Sequence, residues 1–159
     1  MPVINLHTQI NAPIGIVFDL SRSIDLHKIS TAHTNEEAIA GVTSGLIGMG
    51  ESVTWRARHL GITQELTSKI TAFSMPEYFV DEMVTGPFKS FRHEHIFSEA
   101  NGLTTMVDVF NYKSPLGVLG SFTDVLFLKR YMANLLKERN RIIKQFAEDP
   151  ALYKKVLPQ

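Results

Sequence analysis

Between Glu51 and Tyr112 apolar residues recur at alternate positions, and from Phe122 to Ala147 they recur at spacings of three and four or their multiples. The same chain therefore carries a run of strand patterning and then one long amphipathic helix. That change of period constrains the fold more than any other feature. The stretch FTDVLFLKRYMANLLKERNRIIKQFA contains no Gly and no Pro. Its stripe is Val125, Leu128, Met132, Leu135, Ile142 and Phe146, widened by Leu136 and Ile143. A face this wide is suited to lying on a sheet. Ser121 is the expected N-cap, with Asp124 as the acidic member of a capping box. Lys144 suits the negative end of the helix dipole. Many strands with one long terminal helix predict a curved sheet gripping that helix, with Met132 and Leu135 facing the sheet and nearly buried.

Read from its start, the chain opens with alternation from Val3 to Asn11, a strand with one wet face. Pro13 then begins a short helix carrying Ile14, Val17 and Phe18. Ser21 or Ser23 caps a second through Asp25, Leu26 and Ile29. A weak strand is expected at Asn35 to Ala40. Gly41, Gly45, Gly48 and Gly50 punctuate the next loop, which lacks the Lys-Ser/Thr ending of a phosphate loop and reads as a connection. Strands follow from Glu51 to His59, Ile62 to Phe73, Tyr78 to Val84, Lys89 to Ser98 and Leu103 to Tyr112. Turns at Leu60-Gly61, Met75-Pro76-Glu77, Gly86-Pro87 and Asn101-Gly102 make successive strands antiparallel neighbours. The expected organisation is one domain over residues 1–149 and a loose tail over 150–159.

Sixteen basic and sixteen acidic residues cancel, so there is no charge excess with which to neutralise phosphates, and nucleic acid is not an expected partner. Cysteine is absent, which removes disulfides and thiolate chemistry. The first ten residues, MPVINLHTQI, lack a signal peptide's charged and apolar regions, and no apolar run approaches the ~20 residues of a membrane span. These features suit a cytoplasmic protein.

The stretch I-N-A-P-I-G-I-V-F-D-L at 10–20 resembles the opening of the START-like (SRPBCC) superfamily, which holds birch-pollen-type allergens, lipid-transfer START domains and polyketide cyclases. S-I-D-L-H at 23–27, G-P-F-K-S-F-R-H-E-H-I-F at 86–97 and Y-K-S-P-L-G-V-L-G at 112–120 resemble a bacterial branch of it, whose members are described as cyclase/dehydrase-like or cell-division-inhibitor-like. The resemblance spans nearly the whole chain. It implies an α+β helix-grip fold, with a curved antiparallel sheet of about seven strands around the C-terminal helix and two short helices after strand one. It also implies a cavity between sheet and helix, and no catalytic set.

Chemistry concentrates on two strands expected to be neighbours. Phe91, His93, His95 and Phe97 share one face of the first; Met106, Asp108, Phe110 and Tyr112 share one face of the second. A carboxylate among large apolar residues calls for a donor. Asp108 could orient His93 or His95 as a general base or ligand-binding donor, or the three could form a satisfied polar network shaping the cavity floor. The His-x-His spacing puts two imidazoles about 7 Å apart at the backbone, with His59 or Asp108 as a possible third metal ligand. With no Cys and no further close-spaced ligand motif, neither a metal nor another cofactor is expected. Either Asp81 or Glu82 faces inward. Arg139 interrupts the helix stripe and either snorkels at its edge or pairs with an inward acid such as Asp108 or Glu82.

The first expectation is a hydrophobic small-molecule ligand, lipid-, isoprenoid- or polyketide-like, in a pocket lined by Trp55, Leu66, Phe91, His93, Met106, Phe110, Met132 and Leu136. The loop around Gly45–Gly50 and the segment 115–120 are its expected covers. The alternatives are a cyclase, dehydratase or hydrolase using His93 or His95 with Asp108, and a non-catalytic regulatory protein linked to cell division. An apolar cavity without the His–Asp pair favours the first reading, an inward pair at an open cavity wall favours the second, and a solid core favours the third.

Overall fold

The computed structural model describes residues 2–114 and 122–159. Its elements are β1 (Val3–Ile10), α1 (Ile14–Ser21), α2 (Ile24–Ser30), β2 (Glu37–Gly41), β3 (Ser52–His59), β4 (Ile62–Ser74), β5 (Tyr78–Thr85), β6 (Ser90–Ala100), β7 (Leu103–Lys113), α3 (Phe122–Ala147) and α4 (Pro150–Tyr153). The expected cap at Ser121 and cover at 115–120 lie outside the described residues, as does the side chain of Asp124.

The seven strands form one antiparallel sheet in the order β1-β7-β6-β5-β4-β3-β2. This is the α+β helix-grip architecture, with two short helices after strand one and a long helix at the end. The local chemistry accounts for the connections. Leu60-Gly61 and Asn101-Gly102 take positive φ (53° and 79°; 53° and 77°), as a two-residue hairpin turn matched to strand twist requires. Ser23, not Ser21, caps α2, its side chain accepting from the Leu26 N–H at 3.1 Å. The β2–β3 register slips once and the β4–β5 register twice. Such bulges bend strands and increase twist, so they help curl this half of the sheet.

Two apolar clusters fill the concave side. In the first, Phe18 of α1 meets Phe73, Phe79 and Phe97 edge-on at 5.4, 5.5 and 5.4 Å, and Ile143 and Ala147 of α3 close over them. The second gathers Ile4, Phe91, Phe110, Tyr112 and Leu136. On α3 the buried positions are Leu136, Arg139, Asn140, Ile143 and Ala147, at helical spacing. The buried seam is thus displaced from the expected stripe: Val125 is exposed, and Met132 and Leu135 are half-buried. Their incomplete burial has a physical cause: both line a cavity, although Met132 also packs against the second cluster. Nor is the end of the chain a loose tail. Asp149 caps α4, and Tyr153, Val156 and Leu157 pack against the first cluster. Among the described residues no helix is long and apolar enough to cross a membrane.

Candidate functional site

A cavity of about 370 Å³ lies between α3 and the sheet. Its wall is mainly apolar: Val53, Trp55 and Ala57 from β3, Leu66 from β4, Phe91 from β6 and Phe110 from β7. Met132, Leu135 and Leu136 approach from α3, and the exposed Leu60 and Ile62 belong to the rim. Of the eight residues expected on this wall, seven are there: Trp55, Leu66, Phe91, His93, Phe110, Met132 and Leu136. Met106 is not. It is fully buried in the first cluster, where the Ser21 hydroxyl reaches its sulfur at 3.4 Å. It shares its strand face with Phe110 but sits where α1 has already filled the space. Ile47 of the glycine-rich connection also reaches the wall.

A polar layer separates the two apolar clusters. On β6 the inward series is Phe91, His93, His95, Phe97; on β7 it is Phe110, Asp108, Met106; on α3 it is Leu136, Arg139, Asn140, Ile143. The outer members of each series belong to the apolar clusters, and the middle ones face each other. His95 is directly opposite Asp108 in the β6–β7 register, and His93 opposite Asp81 in the β5–β6 register. His93 Nε2 lies 2.9 Å from Asp108 Oδ1, and His95 Nε2 lies 3.0 Å from Asp81 Oδ1. The Asn140 amide donates to Asp108 Oδ2 at 2.6 Å. Arg139 Nη1 stands 3.5 Å from Asp108 Oδ1, while Nη2 donates to the Ser21 carbonyl at 2.9 Å.

Asp81 is the inward carboxylate of β5, and Glu82 faces outward, 3.8 Å from Arg92. Arg139 is buried beside Asp108 rather than snorkelling. Asp81, His93, His95 and Arg139 line the cavity, whereas Asp108, fully buried, stands behind them.

Burial by itself would raise the Asp108 carboxyl. The contacts of His93 and His95 and the charge of Arg139 outweigh it and hold the group well below the usual carboxylate range. Asp81 is lowered by the same competition, with His95, His93 and Arg139 offsetting its burial. His93 is pushed down by burial and by the adjacent His95, against the pull of the two carboxylates.

A second polar group was not anticipated. Glu36, His27, His59 and Tyr131 also line the cavity. His27 Nε2 lies 3.0 Å from Glu36 Oε1, and His59 Nδ1 lies 2.9 Å from the Tyr131 hydroxyl. The His27 ring sits 4.3 Å from that of Trp55. Glu36 precedes β2 and His27 lies within α2, so these partners are brought together only by the fold, and no local spacing announced them. His59 belongs to this group and is not a third partner for His93 and His95.

No family model and no curated protein matches the chain. Solved structures do. A START superfamily protein from Mycobacterium smegmatis is similar with a TM-score of 0.69 at 9% identity, over 92% of this chain and 97% of that one. TTHA0849 from Thermus thermophilus is similar with a TM-score of 0.69 at 16% identity, over 89% and 97%. The major latex-like protein 151 of Panax ginseng is similar with a TM-score of 0.66 at 15% identity, over 93% and 98%. At these identities the likeness is one of fold, and the fold is START-like.

Proposed function

We propose that the protein binds a hydrophobic small molecule, lipid-, isoprenoid- or polyketide-like, with its apolar body along the Trp55–Leu66–Phe110 wall and a polar end on the His93–His95 floor. The observation that carries this reading is the cavity itself. A sheet curved around a helix leaves space that large side chains could fill, yet here Ala57 and Ser68 occupy inward positions and about 370 Å³ stays open. Apolar walls would supply most of the affinity, and a few fixed polar groups would set orientation. The START-like neighbours support the reading at the level of fold. The cavity argues against the regulatory alternative, which called for a solid core. The cysteine-free sequence suits a cytoplasmic setting.

A second reading is favoured by one further observation, the inward His–Asp pair at the cavity wall. Asp108 behind His93 is the arrangement of a base and the group that orients it. In that reading the bound molecule is a substrate for cyclisation, dehydration or hydrolysis, so binding is common to both. Native mass spectrometry of protein purified from its own host is the test. A retained apolar molecule is the expected result, and its return as an altered product would favour the enzyme. Protein that carries nothing and takes up no apolar probe would overturn both.

A further inference from the structure

We propose that Asp81, His93 and His95 form a binding site for a divalent transition-metal ion, with Asp108 holding both imidazoles from behind. The site does not depend on what occupies the apolar part of the cavity. The three residues offer ligand atoms that all lie within 4.8 Å of one another. Asp81 Oδ1 is 3.0 Å from His95 Nε2 and 3.7 Å from His93 Nδ1. Two donors each about 2.1 Å from one ion in a tetrahedral shell lie about 3.4 Å apart, between these two values.

The opposite ring nitrogens converge on Asp108. His93 Nε2 and His95 Nδ1 both approach the same oxygen, Asp108 Oδ1, at 2.9 and 3.0 Å. Each imidazole therefore turns one nitrogen to Asp108 and the other to Asp81. Yet His95 Nδ1, in a buried ring, makes no hydrogen bond, despite its closeness to a carboxylate oxygen. A neutral imidazole has one N–H. If that N–H sits on Nε2 to serve Asp81, the Nδ1 lone pair faces the Asp108 oxygen. An ion on the Asp81 side reverses the assignment. Nε2 then gives its lone pair to the ion, and Nδ1–H is left to donate to Asp108. His93 follows the same pattern, with Nε2–H to Asp108 and the Nδ1 lone pair to the ion. A carboxylate behind a ligating histidine is the usual way of fixing its tautomer and ring orientation.

Two nitrogens and one oxygen suit zinc, cobalt(II) or iron(II) rather than calcium or magnesium. Ionised Asp81 and Asp108 with one Arg139 leave a net negative charge for the cation to meet. All three ligands line the cavity, so the remaining coordination positions open toward a bound molecule.

The test is to treat the full-length protein with a chelator and titrate it with cobalt(II) chloride, following visible absorption, and with zinc chloride by calorimetry. One saturable equivalent is expected. Asp81→Asn and His93→Gln should each weaken binding by about tenfold or more, Asp108→Asn by about 10–100-fold, and His7→Gln on β1 not at all. Nitrogen NMR of the wild type needs no variant: zinc should move His93 Nδ1 and His95 Nε2 into the metal-bound range. The proposal is overturned by absence of saturable uptake, by uptake that survives Asp81→Asn and His93→Gln, or by zinc-induced shifts confined to other histidines.

Discussion

His93 Nε2 meets Asp108 Oδ1 at 2.9 Å across β6 and β7, and the carboxylate behind the ring has no exposure to solvent. The contact lies in a polar layer between two apolar clusters, with Arg139 and Asn140 completing it from α3. Removing the carboxylate leaves a buried guanidinium and two imidazoles without their common partner. Asp108→Ala should therefore cost about 3–5 kcal/mol, the penalty for stranding buried charge. Urea unfolding measures it, and a loss below about 1 kcal/mol would mean that Arg139 finds another partner.

The same layer sets the response to acid. His93, Asp81 and Asp108 all have folded-state pKa values below their ordinary ones. For each, the unfolded chain binds protons more readily, so the stability contributed is present above the unfolded pKa and is lost as pH falls through the folded one. Stability should begin to decline below about pH 6.5 through His93 and fall further below about pH 4 through the two carboxylates. Unfolding free energies measured across this range test the sign; stability that rises on acidification from pH 7 to 5 would contradict it.

Two positions on α3 separate packing from cavity lining. Ile143 is buried to 1% exposure in the first cluster, while Leu135 is half-buried on the cavity wall. Ile143→Ala should cost about 2–5 kcal/mol, and Leu135→Ala should fall clearly below that range because the space beside it is already open. Equal losses would mean that the cavity is filled by packing around Leu135.

Gly41 makes a local test of the sheet edge. Its φ is +74°, and a Cβ there would sit 2.1 Å from the Ser52 carbonyl oxygen, which is rigid backbone. Gly41→Ala should destabilise by more than the roughly 1 kcal/mol typical of an unfavourable backbone conformation. A melting temperature unchanged from wild type would show that β2 shifts freely against β3.

Much of this arrangement was legible in the residues. Alternation placed Phe91, His93, His95 and Phe97 on one face and Asp108 with Phe110 on another, and short turns made those strands neighbours. Parity alone could not choose between Asp81 and Glu82, because the choice depends on the β5–β6 register. The same limit explains Met106: strand parity gives the side of the sheet, while the reach of α1 over that side is a matter of tertiary packing. The α3 seam was displaced because Met132 and Leu135 border empty space, which hydrophobicity does not report. Glu36, His27 and Tyr131 come from the connection before β2, from α2 and from α3, with no shared spacing to link them.

The space beside Ala57 and Trp55 is the proposed seat of the apolar molecule. Titrating a neutral, polarity-sensitive fluorophore into wild-type protein and into Ala57→Phe tests it most directly. Wild type should bind at micromolar concentration and shift or quench the emission of Trp55. Ala57→Phe, which places a ring in the cavity, should weaken binding at least tenfold while the fold persists by circular dichroism. Failure of wild type to bind, or equal binding by the two proteins, would contradict the account.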